Sequence, residues 1–164
     1  YEKLRSNYST NHRRNLTKKI NNFYWDISNS GYIGQDYIIE FLKFYKTNIG
    51  CQAYLKKNDY EIIHMIMSKC SQQRIGYLVG LRNDQDQLLG CAFFVSCFNR
   101  SILLFNASDK GLNFNLMIFI IDKYIQKNTQ KNHILDFEGS NIQGVKRFYK
   151  GFGSIEKNYI HIFK

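Results

Sequence analysis

The stretch HILDFEGSNIQGVKRFYKGFGS, from His133 to Ser154, joins a strand pattern to a helix pattern through a Gly-Ser break. Residues 134 to 137 are mostly apolar, and alternation along a strand sends Asp136 and Glu138 to one face. After the break, apolar and aromatic residues recur at helical spacing: Val145, Phe148, Tyr149 and Phe152. The stretch therefore predicts a strand that ends on two carboxylates, followed by an amphipathic helix over residues 144–152.

The residues before this stretch predict an antiparallel meander. Three β-rich runs, residues 75–81, 88–98 and 101–107, are separated by turn-forming residues. A helix is expected from Gly111 to Lys127, and a last strand over residues 155–163. Since a helix separates the third strand of the meander from the strand at 134–137, we expect a strand-helix-strand crossover near the middle of the sheet.

The sequence of the N-terminal part of the chain predicts helices. Ser9 or Thr10 is a candidate cap for a first helix whose apolar residues are Leu16, Ile20 and Phe23. A second helix is expected over residues 35–48, and a third from a cap at Asn58 or Asp59 to about Cys70. This order of elements predicts an α+β domain with a mostly antiparallel sheet.

Composition favours one globular domain over residues 1–164, because 44% of the 164 residues are hydrophobic. No apolar run is long enough to span a bilayer and no signal-peptide core is visible, so we expect a cytoplasmic location. The four cysteines form no CxxC pair and the four histidines are scattered, which gives no reason to expect a metal site.

The net charge of +10 favours anionic partners: nucleic acid, a phosphate-bearing cofactor or a membrane surface. Part of this charge lies on the outer face predicted for the first helix, formed by His12, Arg13, Arg14, Lys18 and Lys19. A solvated helix face and a binding face for phosphate or RNA are both consistent with this pattern.

Three places could carry chemistry. The turn from Ser108 to Gly111 and the N–H groups of residues 112–115 form either an anion site or an ordinary capped turn. Repulsion between Asp136 and Glu138 would raise one pKa and make that carboxylate a base, whereas a structural role as a cap or as a partner of Arg147 is the alternative. Tyr149 could protonate a leaving thiolate or simply belong to the core.

Residues 135–154, together with NHRRNLTKK at 11–19 and SDKG at 108–111, resemble the GNAT acyltransferase superfamily. The resemblance is closest to the bacterial branch of Fem-type aminoacyl transferases. It implies the GNAT fold, in which two neighbouring strands of a mixed sheet part in a V and acyl-CoA enters the gap. It also implies that Tyr149 is the general acid, and that Asp136 and Glu138 are candidates to deprotonate the attacking amine.

The same resemblance implies a set of donor-binding residues along the two walls of the V: Phe105, Asn106, Ala107, Ser108, Lys110, Gly111, Leu112, Asn113, Ser140 and Asn141. The phosphate loop of ordinary members, Arg/Gln-x-x-Gly-x-Gly/Ala, is absent at residues 108–113. Relatives that take the acyl group from aminoacyl-tRNA also lack it.

Three functions follow from this resemblance. The first is an N-acyltransferase, most simply an N-acetyltransferase, that uses acetyl-CoA or another acyl-CoA and a small-molecule or peptide amine. The second is a tRNA-dependent transferase acting on a cell-wall precursor, for which Arg13, Arg14 and Lys18 would contact RNA. The third is a non-catalytic binding module. Because Fem-type relatives carry two such domains, we also expect that an N-terminal GNAT-like half could precede this one.

Overall fold

A computed structural model describes residues 1–18, 23–28, 31–50, 54–111, 115–129, 132–138 and 141–157. The helices are α1 (Glu2–Arg5), α2 (Thr10–Leu16), α3 (Gln35–Tyr45), α4 (Lys57–Gln72), α5 (Leu116–Asn128) and α6 (Gln143–Lys150), and a π-helical turn, Lys46–Gly50, continues α3. The strands are β1 (Phe23–Ile27), β2 (Gly76–Asn83), β3 (Leu88–Cys97), β4 (Arg100–Ser108) and β5 (Ile134–Asp136).

The strands form one sheet in the order β1-β2-β3-β4-β5. The first four strands pair antiparallel, and β5 pairs parallel with β4 after the crossover through α5. The predicted meander and the predicted strand-helix-strand crossover are therefore confirmed. Among the described residues β5 is an edge strand. The predicted position of the crossover near the middle of the sheet stays a prediction, because most of the predicted last strand lies outside the described residues.

Helices cover both faces of the sheet. On one face α5 packs through Leu116, Ile120 and Tyr124 against residues such as Phe94 of β3. On the other face Ile38 and Phe41 of α3 and Met67 of α4 pack against Cys91 and Phe93, also of β3. Successive residues of β3 thus alternate between the two cores, as strand geometry requires, and the predicted arrangement of an α+β sheet with helices on both faces is confirmed.

The first predicted helix is shorter in the structure than its apolar spacing indicated. Ser9 caps α2, since its hydroxyl oxygen accepts a hydrogen bond from the His12 N–H at 3.2 Å. The helix ends at Leu16, and Phe23 begins strand β1, which the sequence analysis did not predict. Aromatic residues favour strands, and pairing with β2 along the whole of β1 outweighs the helical spacing.

Two other helix starts were predicted at the wrong residue. Helix α4 begins at Lys57, and Asp59 lies inside its first turn, where its carboxylate accepts a hydrogen bond from the Lys56 N–H at 2.6 Å. Helix α5 begins at Leu116, five residues after the predicted Gly111, with Asn115 at its N-cap. Of the predicted last strand, residues 155–157 are not in a strand and the remainder lies outside the described residues.

One buried guanidinium joins the sheet to α3. Arg82 of β2 is 6% exposed, and its Nη2 lies 2.6 Å from a carboxylate oxygen of Glu40 on α3. Its Nε lies 2.8 Å from a carboxylate oxygen of Asp26 on β1, and its guanidinium also lies over the ring of Tyr37. Hydrogen bonds to the two carboxylates raise the pKa of Arg82, with Glu40 contributing most. This cluster fixes α3 against the first two strands.

Replacing Arg82 by Met should lower the free energy of unfolding by about 3 kcal/mol, because Asp26 and Glu40 would lose their shared counter-ion. Urea unfolding followed by Trp25 fluorescence measures this loss. Glu156→Gln is the control, since it breaks only exposed ion pairs with Lys146 and Lys150 and should leave the midpoint nearly unchanged. Equal midpoints for Arg82→Met and wild type would contradict a structural role for the cluster.

His12 belongs to the core and not to the predicted basic face. It is 4% exposed, and its ring lies 4.5 Å from Phe152 and 5.2 Å from Phe148, measured between ring centroids. A Cβ on Gly151 would lie 2.3 Å from the His12 ring, so glycine is needed for this close approach. Burial lowers the pKa of His12, and the Phe148 backbone offsets this only in part. His12 therefore holds α2 against the C-terminal end of α6 as a neutral side chain.

Acidification should weaken this contact. Because the folded-state pKa of His12 lies below the ordinary 6.5, the unfolded chain binds more protons and stability falls as the pH drops through about 6.5. We expect the free energy of unfolding, measured by urea titration from pH 7.5 to 5, to fall less steeply in His12→Leu than in wild type. The same slope in both proteins would show that His12 does not titrate in this window.

Candidate functional site

Strands β4 and β5 pair over only three residues, because β5 is three residues long. Arg100, Ser101 and Ile102 of β4 lie opposite Ile134, Leu135 and Asp136 of β5, and β5 then ends. From Leu103 to Ser108, β4 pairs with β3 on one side, and no strand of the described chain covers its other edge. A row of backbone N–H and C=O groups is therefore available along this open half of β4.

A β-bulge coincides with the point of separation. Phe93 lies opposite Phe105 and Phe94 lies opposite Leu103, so Leu104 is the extra residue in β4. A bulge bends its strand and interrupts the ladder of hydrogen bonds. The bulge lies just beyond Ile102, the last residue of β4 that is paired with β5.

The two predicted carboxylates do not act as a coupled pair. Burial tends to raise the pKa of Asp136, but hydrogen bonds from the Arg100 guanidinium and the Glu138 N–H outweigh it, so the pKa lies below its ordinary value. Glu138 is exposed and has a φ of +56°, so it does not continue the strand. The expectation that repulsion raises a pKa fails at Asp136, and its partner is Arg100 instead of Arg147.

Tyr149 of α6 lies across the gap from the open half of β4. Its ring stacks on Phe137, with 4.6 Å between the ring centroids. Burial raises the pKa of Tyr149, and the nearby side chain of Asn106 on β4 opposes only part of the increase. At neutral pH the phenol is protonated and can donate its own proton to an acceptor in the gap.

The residues predicted for donor binding fall into three groups. Phe105, Asn106, Ala107 and Ser108 all lie on the open half of β4. After β4, Lys110 and Gly111 form an exposed turn that is closed by a 2.8 Å hydrogen bond from the Gly111 N–H to the Asp109 carboxylate. Asn141 is exposed just before α6, whereas Leu112, Asn113 and Ser140 lie outside the described residues.

The predicted anion site at the start of the crossover helix falls partly on residues that the structure does not describe. Helix α5 begins at Leu116, with Asn115 at its N-cap, so the helix starts later than the predicted Gly111. Residues 112–114 lie outside the described residues, and the anion site stays a prediction.

Tyr45 lies next to the gap and is not among the residues predicted for the site. Tyr45, the last residue of α3, lies edge-on to Phe105 with 6.2 Å between the ring centroids and stacks on Phe41 at 5.6 Å. Sixty residues separate Tyr45 from Phe105, so no local pattern indicated this contact. The only feature of the sequence that could have indicated Tyr45 is its position at the end of an otherwise apolar helix face.

The remaining predicted residues lie elsewhere. Arg13, Arg14 and Lys18 are exposed on or just after α2.

Within the described ranges no three side chains of His, Cys, Asp or Glu are grouped closely enough to hold a metal ion. No helix in the same ranges has the length and apolar character needed to cross a membrane.

Comparisons of the sequence found no matching family model and no similar curated protein. Comparison of the structure found several acetyltransferases. A possible acetyltransferase from Clostridium difficile superposes with a TM-score of 0.64 at 11% identity, covering 87% of this chain and 97% of the other. A predicted acetyltransferase from Clostridium acetobutylicum, solved with acetyl-CoA, gives 0.65 at 9% identity, covering 87% and 96%.

An aminoglycoside N-acetyltransferase in complex with CoA is also similar, with a TM-score of 0.61 at 9% identity over 90% of this chain and 98% of the other. At such low identity these similarities establish the fold and leave the activity open. The chain has the GNAT fold, as the resemblance implied, and its described residues form a mixed five-stranded sheet in which β4 and β5 pair over three residues.

Proposed function

We propose that this chain is an N-acyltransferase that moves an acyl group, most simply acetyl, from acyl-CoA to an amine. The observation that carries the proposal is the position of Tyr149, a protonated phenol beside the side chain of Asn106 on the open half of β4. A half-buried proton donor beside a strand edge that is unpaired among the described residues suits a reaction that expels a thiolate. The acetyl-CoA and CoA complexes of the structural neighbours support the same choice of donor.

The open half of β4 is suited to holding the donor. The pantetheine arm of acyl-CoA carries two amide groups, which can pair with the free backbone groups of Leu103 to Ser108 as an added strand would. Lys110, exposed on the turn after β4, supplies positive charge for the pyrophosphate. In this arrangement the thioester would lie near the bulge at Leu104, where a freed N–H can polarise its carbonyl.

The reaction then needs two proton transfers. The amine nitrogen forms a bond to the acyl carbon, the C–S bond breaks, and the sulfur takes a proton from the Tyr149 phenol. The nitrogen loses one proton to a base. Solvent then carries a proton from this base back to the Tyr149 phenolate, and the products are the amide and free CoA. We assign the base to Glu138, an exposed carboxylate one residue beyond Phe137, on which Tyr149 stacks.

Asp136 has a positioning role in this proposal. Its ion pair with Arg100 ties the end of β5 to the start of β4, at the closed end of the gap. Its lowered pKa keeps it ionised at neutral pH, which makes it a weak base and a stable partner for Arg100. The pair thereby fixes the point at which the two strands part.

The proposal is tested by substituting Tyr149 with Phe. We expect kcat for acetyl transfer to fall about 100-fold, because the leaving thiolate would have to take its proton from water. CoA should raise the melting temperature of wild type and variant equally, since the phenol acts on the leaving group and not on donor binding. The release of free thiol measures kcat, and thermal unfolding with millimolar CoA measures the effect of CoA on the melting temperature.

Tyr32→Phe is the matched control, because it removes the hydroxyl of an exposed tyrosine away from the gap. Its rate and thermal shift should equal those of wild type. If millimolar CoA leaves the melting temperature unchanged, acyl-CoA is not the donor. If CoA stabilises the protein but no amine yields turnover, the chain is a non-catalytic module that has retained the fold.

A second donor, an aminoacyl-tRNA used by a Fem-type transferase on a cell-wall precursor, is favoured by one observation. Arg13 and Arg14 are exposed side by side on α2, and in the described part of the chain neither forms an ion pair with a carboxylate. Lys18 follows just beyond the helix and adds a third cation. Such a face is suited to binding the phosphates of RNA.

This alternative predicts RNA binding that weakens steeply with salt. Reversing both charges, Arg13→Glu with Arg14→Glu, should reduce the slope of log K against log salt concentration by about 1.5, since two phosphate contacts are lost. Filter binding to deacylated tRNA between low and physiological salt measures the slope. An unchanged slope, or no binding by wild type at low salt, would remove tRNA as the donor.

A further inference from the structure

The hairpin that joins β3 to β4 ends in a fully exposed phenylalanine. Cys97 of β3 pairs with Arg100 of β4, so Phe98 and Asn99 alone form the turn. Phe98 is 102% exposed, more than any other large hydrophobic residue in the described part of the chain. Its ring therefore belongs to neither core, and its whole apolar area lies in water.

The backbone of Phe98 adds a second cost. Its φ is +53°, in the left-handed region, where a bulky side chain is strained. Two-residue hairpin turns with a positive φ at the first position favour glycine, which adopts this φ without strain. Glycine would thus close the same turn at a lower cost, and the fold itself gives no reason for an aromatic residue here.

Other apolar residues lie beside the turn. The Ile134 N–H donates a hydrogen bond of 2.7 Å to the Asn99 C=O, so the start of β5 lies next to Phe98. Ile134 is half exposed, and Cys97 is exposed on the other side of the turn. We call Cys97, Phe98 and Ile134 the hairpin tip.

Two arginines flank the hairpin tip. The Ser96 N–H donates a hydrogen bond of 2.8 Å to the Ile75 C=O, which places the preceding residue, Arg74, beside the end of β3. Arg74 is exposed, and among the residues that the structure describes it forms no ion pair. Arg100 follows the turn and is exposed, although its charge is shared with Asp136.

Two exposed lysines lie at the same end of the sheet. Lys69 belongs to the last turn of α4, and the N–H of Ile75, which follows this helix, donates to the Cys70 C=O at 2.9 Å. Lys127 belongs to the last turn of α5, whose Tyr124 hydroxyl donates to Ser101 at the start of β4. The hairpin tip is therefore an apolar point with cations around it.

We propose that the hairpin tip docks the protein onto anionic phospholipid bilayers. Phe98 enters the headgroup region, while Arg74, Lys69 and Lys127 lie close to the lipid phosphates. A two-residue turn offers far less area than the roughly 1,000 Å² of a stable protein interface, whereas a bilayer accepts one inserted side chain without a complementary shape. The net charge of +10 attracts the protein to the same surface.

Docking in this way leaves the candidate active site accessible. Strand β4 begins at Arg100, beside the hairpin tip, and ends at Ser108. The open half of β4 and the turn at Lys110 thus lie toward the opposite end of the strand. Membrane binding is consequently independent of acyl transfer and is measured without CoA.

Vesicle sedimentation tests the proposal. The probes are sucrose-loaded vesicles of phosphatidylcholine alone, and of phosphatidylcholine with about 30 mol% phosphatidylglycerol, at about 50 mM salt. We expect the partition coefficient of the wild type to be at least about tenfold larger for the anionic vesicles. Equal partitioning into the two kinds of vesicle, or binding to neither, would overturn the proposal.

Phe98→Gly separates insertion from attraction by charge. It should weaken binding to the anionic vesicles about tenfold without lowering the melting temperature, because glycine accepts the positive φ. Tyr54→Gly is the matched control, since Tyr54 is also an exposed aromatic residue with a positive φ, located before the start of α4 and away from the hairpin tip. Wild-type binding by Phe98→Gly, or equal weakening by both variants, would show that Phe98 does not insert.

A pair of charge reversals tests the cations. Lys69→Glu with Arg74→Glu should weaken binding to the anionic vesicles by at least about tenfold. Lys43→Glu with Lys57→Glu changes the net charge equally at exposed lysines on α3 and at the start of α4, about 20 Å from the other end of that helix. It should bind nearly as well as wild type, and equal weakening by both doubles would mean that net charge alone attracts the protein, against the proposal.

Discussion

The candidate site depends on one constraint, which is that β5 pairs with β4 over only three residues. If β5 paired with more of β4, the backbone N–H and C=O groups of β4 would be hydrogen-bonded to β5 and no gap would remain. Pairing stops where Leu104 bulges out of β4, and the ion pair between Arg100 and Asp136 holds the closed end together. The bulge and the ion pair thus lie on either side of the point where pairing ends, and among the described residues the rest of β4 is an open edge.

Residues from distant parts of the chain converge on this edge. Tyr149 comes from α6 and reaches Asn106, while Tyr45 at the end of α3 reaches the neighbouring Phe105. Each helix is fixed by a buried polar residue elsewhere: Arg82 ties α3 to β1 and β2, and His12 packs α2 against the end of α6. The site is consequently held by contacts made outside it, and its geometry is coupled to the stability of the whole domain.

The excess positive charge is distributed over surfaces with different neighbours. Lys43, Lys46, Lys56 and Lys57 line a cleft between α3 and α4 together with apolar and aromatic side chains such as Leu42 and Tyr60. Arg13 and Arg14 lie on a short exposed helix, where phosphates could bind without an apolar contribution. A net charge of +10 indicates anionic partners in general, but the surroundings of each cation decide which anion can bind there.

The sequence by itself determined the α+β class, the meander from β2 to β4, the crossover through α5 and the helix that carries Tyr149, because these follow from local periodicity and turn residues. It misplaced the starts of α4 and α5 and missed β1, since pairing and packing decide such boundaries. Only the tertiary structure decided that Asp136 pairs with Arg100, that His12 is buried, and that Asn106 and Tyr45 lie beside the gap. These contacts join residues far apart in the chain, and their pKa values and roles depend on burial and partners that no local pattern encodes.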